Sequence, residues 1–172
     1  LLATDAGYGF VTRFQELVSK NRAGKAVLTL PAGARVLPPR AVSGEEGAEV
    51  AVATDSGRLL VHPLAELPEL AKGKGVKLLN IPAGRFQAGE ERVQDLCVLA
   101  PGASLVVHAG RRYLVLKPAD LEGFRQERGR RGHKLPRGFQ RVERLEVKAG
   151  GKNRPGQGPG QGTDKGGGVS VQ

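Results

Sequence analysis

The chain has 172 residues, a formal net charge of +10, 4% aromatic residues, and neither Trp nor Met. No apolar run approaches the ~18 residues of a membrane-spanning helix, which excludes a membrane span. The single cysteine excludes an internal disulfide and a cysteine zinc cage. The chain begins at Leu1 in mid-pattern without a signal peptide, so we expect a fragment of a longer, cytoplasmic protein.

Short strands separated by Gly and Pro turns are predicted along residues 1–148. In chain order, the predicted strands are 1–4, 9–13, 26–30, 34–37, 49–54, 58–62, 93–99, 104–108, 111–117 and 141–147. Short helical turns are expected near 16–20, 65–70 and 119–124. Strands of this length, with alternating or continuous apolar character, predict an all-β fold.

An internal repeat of about 50 residues organises these strands. Each copy has an apolar strand, a turn glycine, a second strand and an acidic residue before a leucine. The anchor glycines are Gly7, Gly57 and Gly110. Such periods are typical of propeller-like arrays. We therefore predict about three four-stranded blades, with repeats at approximately 1–48, 49–100 and 101–148.

The last segment, residues 149–172, contains 9 glycines and almost no apolar residue to bury. Such a composition cannot offset the backbone entropy lost on folding. We predict that this Gly-rich tail is disordered.

Positive charge is concentrated in residues 111–148, which carry 12 basic and 5 acidic side chains. A basic, Gly-containing segment also follows the acidic-Leu element of each repeat. Lysine and arginine bind phosphate, and glycine lets a backbone approach it closely. The recurrence predicts a track for a polyanion on one rim of the array. The candidate DNA-binding residues are Lys20, Arg22, Lys25, Lys72, Lys74, Lys77, Arg128, Arg130, Arg131 and Lys134.

The three basic segments contain no aromatic residue on which single-stranded bases could stack. This favours contacts with the backbone of a duplex and little reading of base sequence. Arg13 and Arg58 flank predicted hairpins and are interpreted as strand-edge charges.

The stretches TDAGYGF, SKNRAGKA, LPPR, TDSGRLL, AKGKGVKLLNIP and ERGRRGHKLPRGFQRVERLEV closely resemble the C-terminal domain of the A subunit of bacterial DNA topoisomerase IV. The resemblance covers nearly all of residues 1–148. It implies a β-pinwheel that binds and bends duplex DNA on its outer rim. It also implies a parent enzyme that decatenates and relaxes DNA, uses Mg²⁺ and the ATP bound by a second subunit, and forms a heterotetramer associated with the bacterial nucleoid.

Several alternatives remain open. A gyrase A subunit is disfavoured because the segment nearest to its Gln-Arg-Arg-Gly-Gly-Lys-Gly box has Glu127 where a basic residue belongs. An RNA-binding basic β protein and an enzyme domain with its own active site are the other hypotheses. For this fragment we expect no catalytic residue, cofactor site, metal site or small-molecule substrate. Tyr113, which follows Arg112 as a topoisomerase nucleophile would, is interpreted as a core aromatic.

Overall fold

The structure is a computed structural model that describes residues 1–150 and the backbone of Ser170–Val171. Strands dominate it, which confirms the predicted all-β class. The strands are β1 (Leu2–Ala3), β2 (Tyr8–Phe10), β3 (Glu49–Thr54), β4 (Arg58–Pro63), β5 (Val76–Lys77), β6 (Val93–Leu99), β7 (Ser104–Ala109), β8 (Arg112–Leu116), β9 (His133–Lys134), β10 (Arg144–Lys148) and β11 (Ser170–Val171). The short helices are α1 (Phe14–Leu17), α2 (Ala83–Gln87) and α3 (Pro118–Leu121), with 3₁₀ turns at Leu64–Glu66 and Glu122–Phe124. No helix in these ranges is long and apolar enough to cross a membrane.

The strands form three sheets, in the orders β1-β2-β5, β6-β3-β4-β9 and β10-β7-β8-β11. A hairpin lies at the centre of each sheet: β1–β2, β3–β4 or β7–β8. On one side, the hairpins of the second and third blades pair with a later strand of their own repeat, β6 or β10. In the first blade, only a single bridge, Thr4↔Val36, occupies this position. On the other side, the hairpins of the first and second blades pair with a strand that follows the next hairpin, β5 or β9. The second and third repeats therefore each donate one strand to the blade before them.

The anchor glycines Gly7 and Gly57 hold the donated strands in place. Their φ angles are +93° and +85°, which side chains rarely adopt. Their carbonyl oxygens accept hydrogen bonds from the amides of Leu78, at 2.7 Å, and Leu135, at 2.8 Å. A Cβ on Gly57 would lie 2.6 Å from Cα of Gln140. These glycines are thus required both by the hairpin turn and by the close approach of the next repeat.

The core consists of two apolar clusters, one on each face of the second sheet. Strand β3 contributes to both, because side chains alternate between the faces of a strand. Val50 and Val52 join the cluster shared with the first blade, whereas Ala51 and Ala53 join the cluster shared with the third. Cys97 lies in the latter cluster, where burial raises the pKa of its thiol to about 12. The second blade is thereby covered on both faces.

The secondary structure differs from the prediction where pairing partners are remote. Residues 26–30 and 34–37 form single bridges, at Leu28 and Val36, because neither segment gains a continuous neighbour. Strands β5 and β9 were expected to be loops, because each has two residues within or beside a basic, Gly-containing segment. Helix α2 begins after Pro82 and was not predicted.

The predicted disordered tail falls mostly on residues 151–169 and 172, which lie outside the described residues. At its end, Ser170–Val171 pair with Leu114 and Val115 of β8. The prediction did not anticipate this strand. It takes the place that β5 and β9 fill in the first two blades.

Candidate nucleic-acid interface

Backbone hydrogen bonds join the three basic segments, residues 19–25, 72–77 and 126–134, in sequence order, through the segments themselves or the residues directly after them. Gly73 joins the first segment to the second, because its amide donates to Val27 O and its carbonyl accepts from Thr29 N, both at 2.9 Å. The second is joined to the third by a 3.1 Å bond from Gly129 N to Leu78 O and a 2.8 Å bond from Asn80 N to Arg130 O. We define residues 19–29, 72–80 and 126–134 together as the basic ridge.

The first part of the basic ridge presents its cations to solvent. Lys20, Arg22 and Lys25 are all exposed. Lys25 Nζ lies 3.6 Å from a carboxylate oxygen of Glu16, whereas Lys20 and Arg22 form no ion pair within the described residues. Exposed pairs of this kind are weak. All three side chains are therefore accessible to a polyanion.

The second part carries Lys72, Lys74 and Lys77, which border the edge of the first blade. Lys74 Nζ lies 4.3 Å from the ring centroid of Tyr8, within the range of a cation–π contact. Lys77 lies in β5 opposite Tyr8, and its Nζ is 3.4 Å from Asn80 Oδ1. Lys72 and Lys77 are exposed, and Lys74 covers the nearby aromatic ring.

The third part has four basic residues and the most internal contacts. Arg128 Nη1 donates to Lys77 O at 2.7 Å. The Nε and Nη2 atoms of Arg130 bind the same oxygen of Glu127 at 3.1 and 2.9 Å, and both side chains are largely exposed. Lys134 is exposed on β9, opposite Arg58. Glu127 thus neutralises one cation of the predicted set.

Arg131 has an internal partner that its sequence context did not indicate. Its guanidinium binds the carboxylate of Glu91, which is fully buried, and Nη1 also donates to Asn80 O at 3.3 Å. Arg85 Nε binds the same carboxylate at 3.1 Å. Burial alone would raise the pKa of Glu91, but hydrogen bonds from Arg131, Ser56 and Arg85 hold it below its usual value. Arg131 was predicted to contact DNA, yet its geometry makes it first a support for the third segment.

Other ion pairs join different repeats and were missed in the sequence. Arg92 Nη1 lies 3.0 Å from Asp5 Oδ2, and Arg40 Nη2 lies 2.8 Å from Asp95 Oδ1. Arg125 holds both carboxylate oxygens of Glu49, at 2.8 and 2.9 Å. A count of net charge cannot say which arginines are paired with carboxylates. The recurrence of Asp in the TD-x-G turns is the signal that could have indicated partners for some of them.

Within residues 1–150, no group of three His, Cys, Asp or Glu side chains could hold a metal ion. Tyr113 is half-buried in β8, and its ring centroid lies 6.3 Å from that of His108, its cross-strand neighbour.

Comparisons with known proteins agree with this architecture. Residues 1–43 and 48–93 match the family described as the DNA gyrase C-terminal domain, beta-propeller. The A subunit of DNA topoisomerase 4 from Pseudomonas aeruginosa is 52% identical over 147 residues, covering 86% of this chain and 20% of that protein. The corresponding protein of Escherichia coli K12 is 47% identical and is covered to 19%. The chain thus spans about a fifth of the length of these relatives.

Solved structures give the same result. The structure of the E. coli ParC C-terminal domain superposes with a TM-score of 0.78 at 44% identity, covering 86% of this chain and 59% of that one. A crystal structure of the C-terminal domain of DNA topoisomerase IV matches with a TM-score of 0.69 at 18% identity, covering 86% and 45%. The second likeness shows the fold alone.

Proposed function

Because the chain belongs to the gyrase A and topoisomerase IV A family of C-terminal domains, we propose that it binds and bends duplex DNA along the basic ridge. The observation that carries the proposal is the contact between successive basic segments, through Gly73 and through residues 78–80 and 129–130. These contacts make three separate loops into one cationic surface that crosses neighbouring blades. A duplex that follows the surface meets phosphate-binding groups at successive positions.

The chemistry of the surface favours phosphate over bases. Its exposed lysines and arginines attract the DNA backbone and release its condensed counterions. The nearby aromatic ring of Tyr8 faces Lys74. Binding through phosphates carries no direct sequence information, so preference arises from the shape and flexibility of the duplex. The DNA contacts are supplied by Lys20, Arg22, Lys25, Lys72, Lys74, Lys77, Arg128, Arg130, Arg131 and Lys134, and Arg131 also supports the surface through Glu91.

For the whole protein we propose the activity of a type IIA topoisomerase, decatenation and relaxation of DNA, because the relatives that this chain matches over 86% of its length are A subunits of DNA topoisomerase 4. The proposal includes a heterotetramer with an ATP-hydrolysing subunit, the use of Mg²⁺, and a cytoplasmic, nucleoid-associated location. No step of the ATP or Mg²⁺ chemistry is assigned to the described residues, which bring no metal-ligand set together. The role of this chain is to hold a duplex segment for the rest of the enzyme.

The test is the affinity of the 172-residue chain for duplex DNA, measured against salt concentration and duplex length. The logarithmic slope is expected to be about −0.9 for each phosphate neutralised. We expect a steep slope and an affinity that rises until the duplex spans the three segments of the basic ridge. A flat slope, or tighter binding to RNA in competition, would contradict the proposal, and the latter would support the RNA-binding alternative.

A further inference from the structure

A cationic pocket of about 340 Å³ lies beside the basic ridge, at the turn of the second hairpin. Four of its lining residues are basic: Arg58, Arg85, Arg131 and Lys134. Ser56, Gly57, Leu135 and Gln140 complete the lining. We call this the blade-two pocket. Two of its basic residues, Arg58 and Arg85, lie outside the predicted DNA-binding set.

The three arginines of the blade-two pocket are held in position by contacts behind them. Arg58 Nη1 donates to Gly132 O at 3.0 Å. Arg85 and Arg131 share the buried carboxylate of Glu91. Lys134 is paired with Arg58 in the register of β4 and β9. Groups oriented in this way lose little conformational freedom when an anion binds.

The charge of the pocket is not balanced by its surroundings. Glu91 supplies one negative charge, and Glu90, 3.7 Å from Arg85, supplies a second. Against four basic side chains, this leaves two positive charges. Arg58 and Lys134 form no ion pair within the described residues. The unbalanced cations are therefore the two that come from the paired strands β4 and β9.

The first blade shows that the fold does not require this charge. The equivalent place there is lined by Ala6 where the second blade has Ser56, by Tyr8 where it has Arg58, and by Lys77 where it has Lys134. Lys77 is the only basic residue among the described ones that line the first-blade pocket. The accumulation of cations is a property of the second blade.

We propose that the blade-two pocket binds a phosphate group. Guanidinium groups bind phosphate through paired hydrogen bonds, and Lys134 adds a mobile charge. This assignment rests on the proposed function in one respect only: we take the phosphate to be a phosphodiester of the bound duplex. Arg58 then acts as a phosphate ligand instead of a strand-edge charge.

The first arm of the test uses inorganic pyrophosphate as the probe and amide NMR of the 172-residue chain as the readout. We expect saturable shifts at Ser56, Gly57 and Gly132. Arg58→Gln or Lys134→Gln is expected to weaken binding about tenfold, since each removes one charge-assisted contact. Neither change touches Glu91, so the buried pair remains. Arg13→Gln, at an exposed ion pair outside the pocket, is the matched control and should leave binding unchanged. Shifts spread over the whole surface would overturn the proposal.

The second arm uses duplex DNA and separates the two proposals. If Arg58→Gln lowers the salt slope by about one and Arg13→Gln does not, the pocket holds a DNA phosphate. If the unaltered chain binds pyrophosphate in the pocket but no duplex, the pocket stands as a site for a free phosphate ligand and the proposed function fails. If the chain binds duplex but Arg58→Gln changes neither pyrophosphate binding nor the salt slope of duplex binding, the phosphate site is disproved and the proposed function stands.

Discussion

Glu91 shows how one buried carboxylate can determine the behaviour of nearby cations. It lies beneath the basic ridge, fully buried, with guanidinium groups from Arg85 and Arg131 on its two oxygens. A buried carboxylate without such partners would be costly, and removing one partner of a buried pair leaves an uncompensated charge. The pair therefore fixes the third basic segment to the chain that precedes β6.

We expect Glu91→Gln to lower the free energy of unfolding by about 2–4 kcal/mol, because Arg131 and Arg85 lose their shared anion. Glu90→Gln is the control, since Glu90 is exposed and 3.7 Å from Arg85. That change should cost less than about 0.5 kcal/mol. Urea unfolding measures both. Equal effects would mean that the buried contacts contribute nothing specific.

His62 gives the stability of the protein a dependence on pH, chiefly through the burial of its ring. Its ring is buried in β4, its Nδ1 lies 2.9 Å from Pro63 O, and burial lowers its pKa. The unfolded chain therefore takes up the proton first, and stability is lost as the pH falls through the unfolded pKa of about 6.5. The loss is at most about 1.4 kcal/mol for each pH unit.

We expect the melting temperature to fall between about pH 7.5 and 5.5, on either side of the unfolded pKa, and His62→Gln to reduce that fall. His133→Gln, which alters an exposed residue, serves as the control and should leave the fall unchanged. A pH profile that is identical in all three proteins would show that His62 does not contribute.

Glu127 limits the cationic surface at the position where the gyrase box has a basic residue. Its carboxylate holds Arg130 through two hydrogen bonds, and both side chains are exposed. We expect Glu127→Gln to raise duplex affinity about threefold and to steepen the salt slope by up to about one. Glu122→Gln removes the same charge from the pair with Arg125, outside the basic ridge, and should have a smaller effect. Filter or fluorescence titration at two salt concentrations distinguishes them.

At the scale of elements, the turn glycines differ in their surroundings although their sequences look alike. Gly57 has φ +85° and lies against the backbone of Gln140, whereas Gly110 has φ +63° and no described atom within 4 Å of its added Cβ. Gly57→Ala is therefore expected to cost more than about 3 kcal/mol, and Gly110→Ala about 1 kcal/mol. Chemical unfolding checks the difference. Similar costs would mean that the strand crossing at Gly57 relaxes freely.

The difference between local signals and contacts between repeats explains which elements could be predicted from the sequence. The hairpins β3–β4 and β7–β8 were found because alternating apolar residues and a turn glycine are local signals. Strands β5 and β9 have two residues each, and their partners lie in the preceding repeat. No local pattern specifies such pairing. Residues 26–30 have the composition of a strand but receive only the bridge at Leu28.

At the scale of the whole molecule, recurrence along the chain was the informative signal. Three basic segments at equivalent positions predicted a common surface, and the contacts between them join the segments into one ridge. What recurrence could not predict was the partner of each cation. Arg128 and Arg131 have similar sequence surroundings, yet one donates to a backbone carbonyl and the other to a buried carboxylate. Those partners depend on how neighbouring repeats pack.

Because strands are donated between repeats, the sequence repeat and the folded blade do not have the same boundaries. A cut between residues 48 and 49 yields a complete repeat, but it removes β5 from the first blade and leaves the edge of β2 open. Each blade is therefore cooperative with its successor, and a single repeat is not an independent domain. Conversely, an added repeat brings with it the strand that completes the blade before it. Such an array can lengthen by tandem duplication, and only its last blade needs a strand from outside the repeats, the place that Ser170–Val171 take here.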